Sequence, residues 1–386
     1  MRIYKITAAL ILLLISLSGC FHTIDRSVPS FKTLKKEDFQ TRINNKKTDL
    51  FFLRNGNISM AVTNYGGRIV GLLTPDQKGN YDDIVLGYSS IKEYMNSNEV
   101  FHGALIGRFG NRIDDGKFIL DGITYELPKN NGPNHLHGGP KGFHNVVWEV
   151  EQSTDSTITM HYLSRDGEMG YPGNLSVDVE YELASDNSLI IYYKAHTDKK
   201  TVINLTSHPF FNLKGEGNGT INDHILKINA DYYTPVDSTL IPTGEIAKVS
   251  NTPFDFTYKK AIGKDLNKGN DQLRFANGYD HNFVLNKEDG DLSWAVSIWE
   301  PKSGRKMEIL TEEPGMQFYG GNFMDGSAIG KSGKPYKFRE CFVFEPQHFP
   351  DSPNHPNFPS TVLKKGDTFK SKSIYRFSTV AADDNE

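Results

Sequence analysis

The sequence predicts an all-β protein, a sandwich built from many antiparallel strands. Three observations carry that expectation. Phe118-Ile119-Leu120 and Ile123-Thr124-Tyr125 flank Asp121-Gly122, a pairing that favours a type I′ hairpin turn. The run from Leu175 to Leu183 alternates, putting Val177, Val179, Tyr181 and Leu183 on one face. No long segment with a 3.6-residue apolar period appears in the 386 residues.

The other elements follow in chain order. Apolar, β-branched runs at 146–150 and 157–163 flank the turn-like 153–156. Runs at 189–195 and 201–205 continue the pattern across Asp198-Lys199-Lys200. Further strands are expected at 225–228, 283–285, 295–299, 307–310 and 341–344. Helix is confined to a turn or two at 90–95 and 261–266. No Pro-rich or Gly/Ser-rich linker divides the chain after residue 40, so 39–382 reads as one domain.

Composition narrows the function. The 43 Lys+Arg and 47 Asp+Glu leave a formal charge of −4, which gives no pull on a polyanion, so no nucleic-acid partner is expected. Two cysteines exclude both a disulfide scaffold and a C-x-x-C zinc site. There is no P-loop, G-x-S-x-G, H-E-x-x-H or dinucleotide fingerprint.

Residues 1–19 read as an export signal: Arg2 and Lys5 precede an apolar run over 6–17 that is short for a membrane span. Leu17-Ser18-Gly19-Cys20 resembles the lipobox of bacterial lipoproteins. That resemblance implies cleavage before Cys20, lipid on its sulfur, and a tether over 20–38. The alternative is an ordinary cleaved signal or a short anchor. The lipoprotein reading places the domain in the bacterial cell envelope, on the periplasmic or outer-membrane face. Membrane contact would run through the lipid alone. Cys341, then without a partner, reads as a small buried apolar residue.

Polar residues gather in six stretches beside Gly, Pro and aromatics. They are Gly107-Arg108-Phe109-Gly110-Asn111-Arg112, Asn134-His135-Leu136-His137-Gly138-Gly139, Ser207-His208-Pro209-Phe210-Phe211-Asn212, Gly278-Tyr279-Asp280-His281-Asn282, Gln317 with Asn322, and Glu345-Pro346-Gln347-His348-Phe349-Pro350-Asp351. Glu345 ends an apolar run, where partial desolvation makes a carboxylate a usable base; the alternative is a strand-end ion pair. His208 also follows an apolar run and reads as a proton carrier or as a hydrogen-bonded core histidine. His135 and His137 would share a face in a strand, a spacing open to hydrogen bonding or to metal ligation. Arg112 offers a planar fork to oxygen atoms, and Asp280 accepts from paired hydroxyls; a salt bridge is the plainer alternative for each.

These stretches, in this order, resemble the galactose mutarotase (aldose 1-epimerase) family over about residues 36–377. Tyr65-Gly66-Gly67 and the stretch from Tyr233-Thr234-Pro235-Val236 to Leu240-Ile241-Pro242-Thr243-Gly244 match as well, without catalytic groups. The resemblance implies a β-supersandwich with an open sugar cleft. It implies interconversion of the α and β anomers of free aldohexoses such as galactose and glucose. Glu345 would be the general base and His208 the general acid, Glu345 starting ionised and His208 charged, approaching the pyranose from opposite ends. His137, Asn111, Arg112, Asp280 and Gln317 would hold the sugar's oxygens. One departure stands out: many relatives carry Tyr two positions after the acid histidine, where this chain has Phe210.

The expected partner is thus a small monosaccharide, bound by a monomer. The chemistry requires no cofactor or metal, with Ca²⁺ at Asp82-Asp83 left open because no regular loop pattern surrounds it. Three rivals remain at this level: a glycoside hydrolase using Asp280 and Glu345, a sugar-binding module, and an enzyme acting on hexose 6-phosphates.

Overall fold

The computed structural model describes residues 28–288 and 290–380. Residues 1–19 and Cys20, read as leader and lipidation site, lie outside them. The domain reaches further back than the expected boundary at residue 39. Val28 and Leu34 are buried, and the Phe31 ring packs 5.9 Å from that of Phe52.

The main sheet has nine strands. In spatial order they are Glu149–Ser153, Thr157–Ser164, Leu175–Leu183, Ser188–Thr197, Thr368–Thr379, Arg305–Thr311, Ser293–Trp299, Ile225–Ile228 and Lys260–Ala261. Every neighbouring pair is antiparallel. The Leu175–Leu183 strand alternates buried and half-buried residues along its whole length. Its apolar face enters the largest core cluster with Trp148, Met160, Ile191, Phe211 and Phe344. That pattern is what a sheet covered on one face requires.

Expected elements appear with local differences. The hairpin pairs Leu120 with Ile123, and Asp121 and Gly122 both have positive φ, as a type I′ turn demands. The strand expected at 146–150 begins instead at Glu149, because Trp148 N donates to Asn64 O and Val147 bridges Tyr65. Helices form at Ile91–Asn96, with Ser90 as cap, and at Asp271–Phe275, capped by Asn270; the 261–266 stretch gives a 3₁₀ turn at Ile262–Asp265.

A second sheet of five strands builds the site wall: Ala247–Lys248, Tyr232–Tyr233, Asp280–Val284, Gly315–Tyr319 and Val343–Gln347. Its register sets Asn282 opposite Gln317 and Gln317 opposite Glu345. Asp280 lies two residues from Asn282, so it shares their face. Three side chains distant in sequence are thereby delivered to one surface.

Candidate active site

His208 ends the strand Thr206–His208, where it pairs with Ala104 of Ala104–Ile106. Glu345 occupies the middle of Val343–Gln347. His208 Nε2 and Glu345 Oε1 stand 3.5 Å apart, both side chains nearly sealed from solvent. They stand side by side in the wall. A pair this close suits two oxygens carried by one carbon.

Burial sets their protonation. It pushes Glu345 well above the ordinary carboxylate range, helped by the Asp280 charge and opposed by the Arg112 guanidinium. It pushes His208 down to about 3. Burial disfavours charge on both partners, which weighs toward a neutral pair and against the ionised Glu345 and charged His208 expected from sequence. The proton count is the same in both forms. One proton moving between the partners converts the neutral pair into the charged one.

The strands Arg112–Ile113 and His135–Leu136 pair so that Leu136 faces Arg112. Asn111 N donates to His137 Nδ1 at 3.1 Å, while His137 N donates to Asn111 O at 2.9 Å. A backbone N–H can only donate, so His137 Nδ1 is the acceptor and Nε2 carries the hydrogen. The imidazole thus offers a hydrogen-bond donor to the site. Gly138 makes this loop feasible: at φ +79° a Cβ would fall 1.8 Å from Gly107 O.

His135 does not join His137. The strand ends at Leu136, and His137 turns away at φ 51°. His135 Nδ1 donates to Pro128 O at 2.7 Å, and Nε2 accepts from Tyr171 Oη at 2.7 Å. It is a satisfied core histidine, held near neutral by burial that pushes it down to about 4.

Asp280 is buried, which raises its pKa; Arg112 and the hydrogen bond from Gln317 pull the other way. Gln317 Nε2 donates to Asp280 Oδ1 at 2.6 Å. The Arg112 guanidinium lies 3.9 Å from Asp280 Oδ2, and its Nε donates to Asn131 Oδ1. Gln317 was expected to hold a hydroxyl. It shares the face of Asp280 and Glu345 and holds the Asp280 carboxylate through this bond.

The cavity itself measures about 530 Å³ and is lined by Asn111, Arg112, His137, His208, Asp280 and Glu345. Sequence reasoning missed Phe101, whose ring centroid lies 4.7 Å from that of His137 and 6.0 Å from that of His208. It also treated the stretch before Ile241-Pro242 as mere support, whereas Ser238, Thr239 and Leu240 line the cavity. Leu240 adopts φ 66°, rare for a leucine, and this oddity is invisible in composition.

Ligating atoms of His137, His208 and Glu345 all lie within 4.8 Å of one another, a spacing that a metal could use. The fit fails at His137. Its Nδ1 already accepts a backbone hydrogen, so its Nε2 has no lone pair to give. The Asp82-Asp83 stretch, left open for Ca²⁺, meets cations of the protein itself. Asp82 pairs with Arg305 at 2.7 Å and Asp83 with Lys331 at 2.7 Å, so the protein's own cations take both carboxylates. Cys341 is buried and free, with Sγ 3.2 Å from Met324 Sδ.

An all-β scaffold that sets an imidazole and a carboxylate among hydroxyl-binding side chains defines an acid–base enzyme acting on carbohydrate. Comparison with known proteins supplies the family. Residues 49–376 match the family described as aldose 1-epimerase. The galactose mutarotase of Sus scrofa is 41% identical over 328 residues, covering 85% of this chain and 93% of that protein. The aldose 1-epimerase of Escherichia coli K12 is 36% identical over 332 residues, covering 85% and 94%. Among solved structures, an aldose epimerase homologue from C. elegans superposes with a TM-score of 0.80 at 32% identity, covering 86% of this chain and all of that one. A galactose 1-epimerase from Lactobacillus acidophilus gives 0.76 at 29% identity, covering 88% and 97%. The chain belongs to the aldose 1-epimerase family, and its fold is that of the galactose mutarotases.

Proposed function

We propose that this protein interconverts the α and β anomers of free aldohexoses, galactose and glucose among them, by opening and reclosing the pyranose ring. The single observation that carries the proposal is the buried His208–Glu345 pair, 3.5 Å apart at the wall of a cavity rich in hydroxyl-binding groups.

Glu345, as carboxylate, takes the proton from the C1 hydroxyl. His208 Nε2 gives a proton to the ring oxygen. The C1–O5 bond breaks, C1 becomes an aldehyde, and no electron leaves the sugar. Rotation about C1–C2 presents the other carbonyl face. Closure then runs the transfers in reverse, with His208 recovering its proton and Glu345 returning one to O1. Each group serves as both acid and base, which suits a pair sharing one proton. Arg112 favours the carboxylate form of Glu345. His137 donates through Nε2, and Asp280 accepts from hydroxyls while Gln317 steadies it. Asn111 holds the His137 ring in place.

Each proton transfer is worth about 10²–10⁴-fold. Polarimetry of fresh α-glucose and α-galactose at several protein concentrations tests the reading. Rotation should relax at a rate proportional to protein. Release of reducing sugar from a glycoside, with no faster anomerisation, would replace this function with hydrolysis.

The same reading includes the leader and the oligomeric state. Residues 1–19 are removed, Cys20 carries lipid, and a monomeric domain is held at the bacterial envelope. Support comes from Arg2, Lys5, the apolar run and Leu17-Ser18-Gly19-Cys20. Cys20→Ala should move the protein from the membrane to the soluble fraction; continued membrane association would remove the lipid anchor. Light scattering on the delipidated domain should return a single-chain mass.

A further inference from the structure

The chain segment that carries Glu345 also grips the segment that carries Arg112. Arg112 and Ile113 form a strand only two residues long, paired on one edge with His135–Leu136. Its other edge meets no strand among the described residues. In an antiparallel strand the C=O of one residue and the N–H two positions on point to the same edge, so Arg112 O and Asp114 N leave together on that unpaired side. Asp351 takes both. Its N–H donates to Arg112 O at 2.9 Å, and its Oδ1 accepts from Asp114 N at 3.0 Å. One residue thus stands in for a third strand.

Asp351 is itself held fast. It is buried, and its backbone sits at φ +57°, the left-handed region that few residues other than glycine adopt. Asn354 Nδ2 donates to its Oδ1 at 2.7 Å, and His355 Nε2 lies 3.1 Å from its Oδ2, so both carboxylate oxygens are engaged. The segment between Glu345 and Asp351 is anchored as well. His348 N donates to Asn204 Oδ1 at 3.0 Å, and Asn204 Nδ2 donates to His348 O at 3.2 Å.

Arg112 needs such a hold. Its guanidinium lies 3.9 Å from Asp280 Oδ2, where charge acts but no hydrogen bond fixes the geometry. Among the described residues its side chain makes one hydrogen bond, from Nε to Asn131 Oδ1 at 3.0 Å. The position of the Arg112 backbone therefore decides where the guanidinium stands in the cavity it lines. A misplacement of about 1 Å in such a group can cost about 10²-fold in rate.

We infer that Asp351 is a positioning residue for the reaction: by joining the Glu345 segment to the unpaired edge of Arg112–Ile113, it fixes the Arg112 guanidinium relative to Glu345 and Asp280. The inference rests on the proposed anomerase activity and assigns Asp351 a role exerted through Arg112.

The test pairs NMR with polarimetry. The Arg112 Nε–H resonance is identified by its absence in Arg112→Lys. In Asp351→Ala that resonance should move, and kcat/KM for glucose and galactose should fall about 10–10²-fold. In an Arg112→Lys background the same substitution should cost less than about twofold, because residues that act through one another do not add. A side chain that only supported the fold would lower both backgrounds by one factor and leave the resonance in place. Either result, or an Asp351→Ala rate equal to wild type, overturns the inference. Should Asp351→Ala fail to fold, Asp114→Pro deletes the N–H that Asp351 Oδ1 accepts and leaves the carboxylate intact. Asp114 is exposed and opens a 3₁₀ turn after Ile113, whose φ of −124° and ψ of 124° accept a following proline. That variant decides on the same criteria. A wild-type chain that accelerates neither glucose nor galactose removes the anomerase reading instead. The resonance alone then decides whether Asp351 holds Arg112.

Discussion

His208 Nε2 lies 3.5 Å from Glu345 Oε1, inside a wall where each is almost fully buried. The separation is slightly long for a hydrogen bond and short enough for both groups to reach oxygens on one carbon. Burial penalises charge on either partner, raising Glu345 and lowering His208 from their ordinary values.

Replacing either partner removes one proton carrier. Glu345→Gln and His208→Asn should each lower kcat by about 10²–10⁴-fold while the fold persists. Circular dichroism checks the fold and polarimetry the rate. Wild-type mutarotation by Glu345→Gln would take the base role from Glu345.

The pH dependence follows from the same burial. His208 has its folded-state pKa depressed to about 3 from the ordinary imidazole value of 6.5. A neutral imidazole therefore persists as pH falls below 6.5, and the extra proton binds only on approach to about 3. Activity of the wild type should stay level from pH 7 down to about 4.5. An acid limb centred near 6.5 would mean a solvated His208. The limb that does appear at lower pH should change in His208→Asn; if it does not, His208 is not the acid.

Gln317 acts through Asp280. Gln317→Leu removes the 2.6 Å donor to Asp280 Oδ1 and leaves the carboxylate facing Arg112 alone. A hydrogen bond to a charged group is worth about 1.5–3 kcal/mol, so KM should rise roughly tenfold with a smaller change in kcat. A fall in kcat at constant KM would instead bring Gln317 into the reacting group.

His135 is a stability residue. It is buried neutral with a folded-state pKa of about 4. Both states are neutral above 6.5; as pH falls from 6.5 to about 4 the unfolded chain binds the proton first. Stability is therefore lost across that window, at about 1.4 kcal/mol per pH unit from this group. His135→Gln should flatten that slope in urea unfolding. At pH 7.5 it should cost about 1–3 kcal/mol, because Pro128 O or Tyr171 Oη loses its partner. Loss of kcat without loss of stability would contradict this assignment.

Much of the molecule is legible in the sequence. The two-residue alternation of Leu175–Leu183 and the Asp121-Gly122 turn are local properties, and both formed as read. His137, His208, Asp280 and Glu345 were each visible in a motif, and they line one cavity. The tertiary structure alone decided what surrounds them. Strand register, which depends on pairing across long stretches of chain, set Gln317 beside Asp280 and Glu345, and the loop after Tyr232–Tyr233 brought Thr239 and Leu240 to the wall. A single left-handed residue at position 137 separated two histidines that alternation would have kept together. Protonation was the least legible of all, since it sums burial and charge over every neighbour in space, and sequence order carries neither.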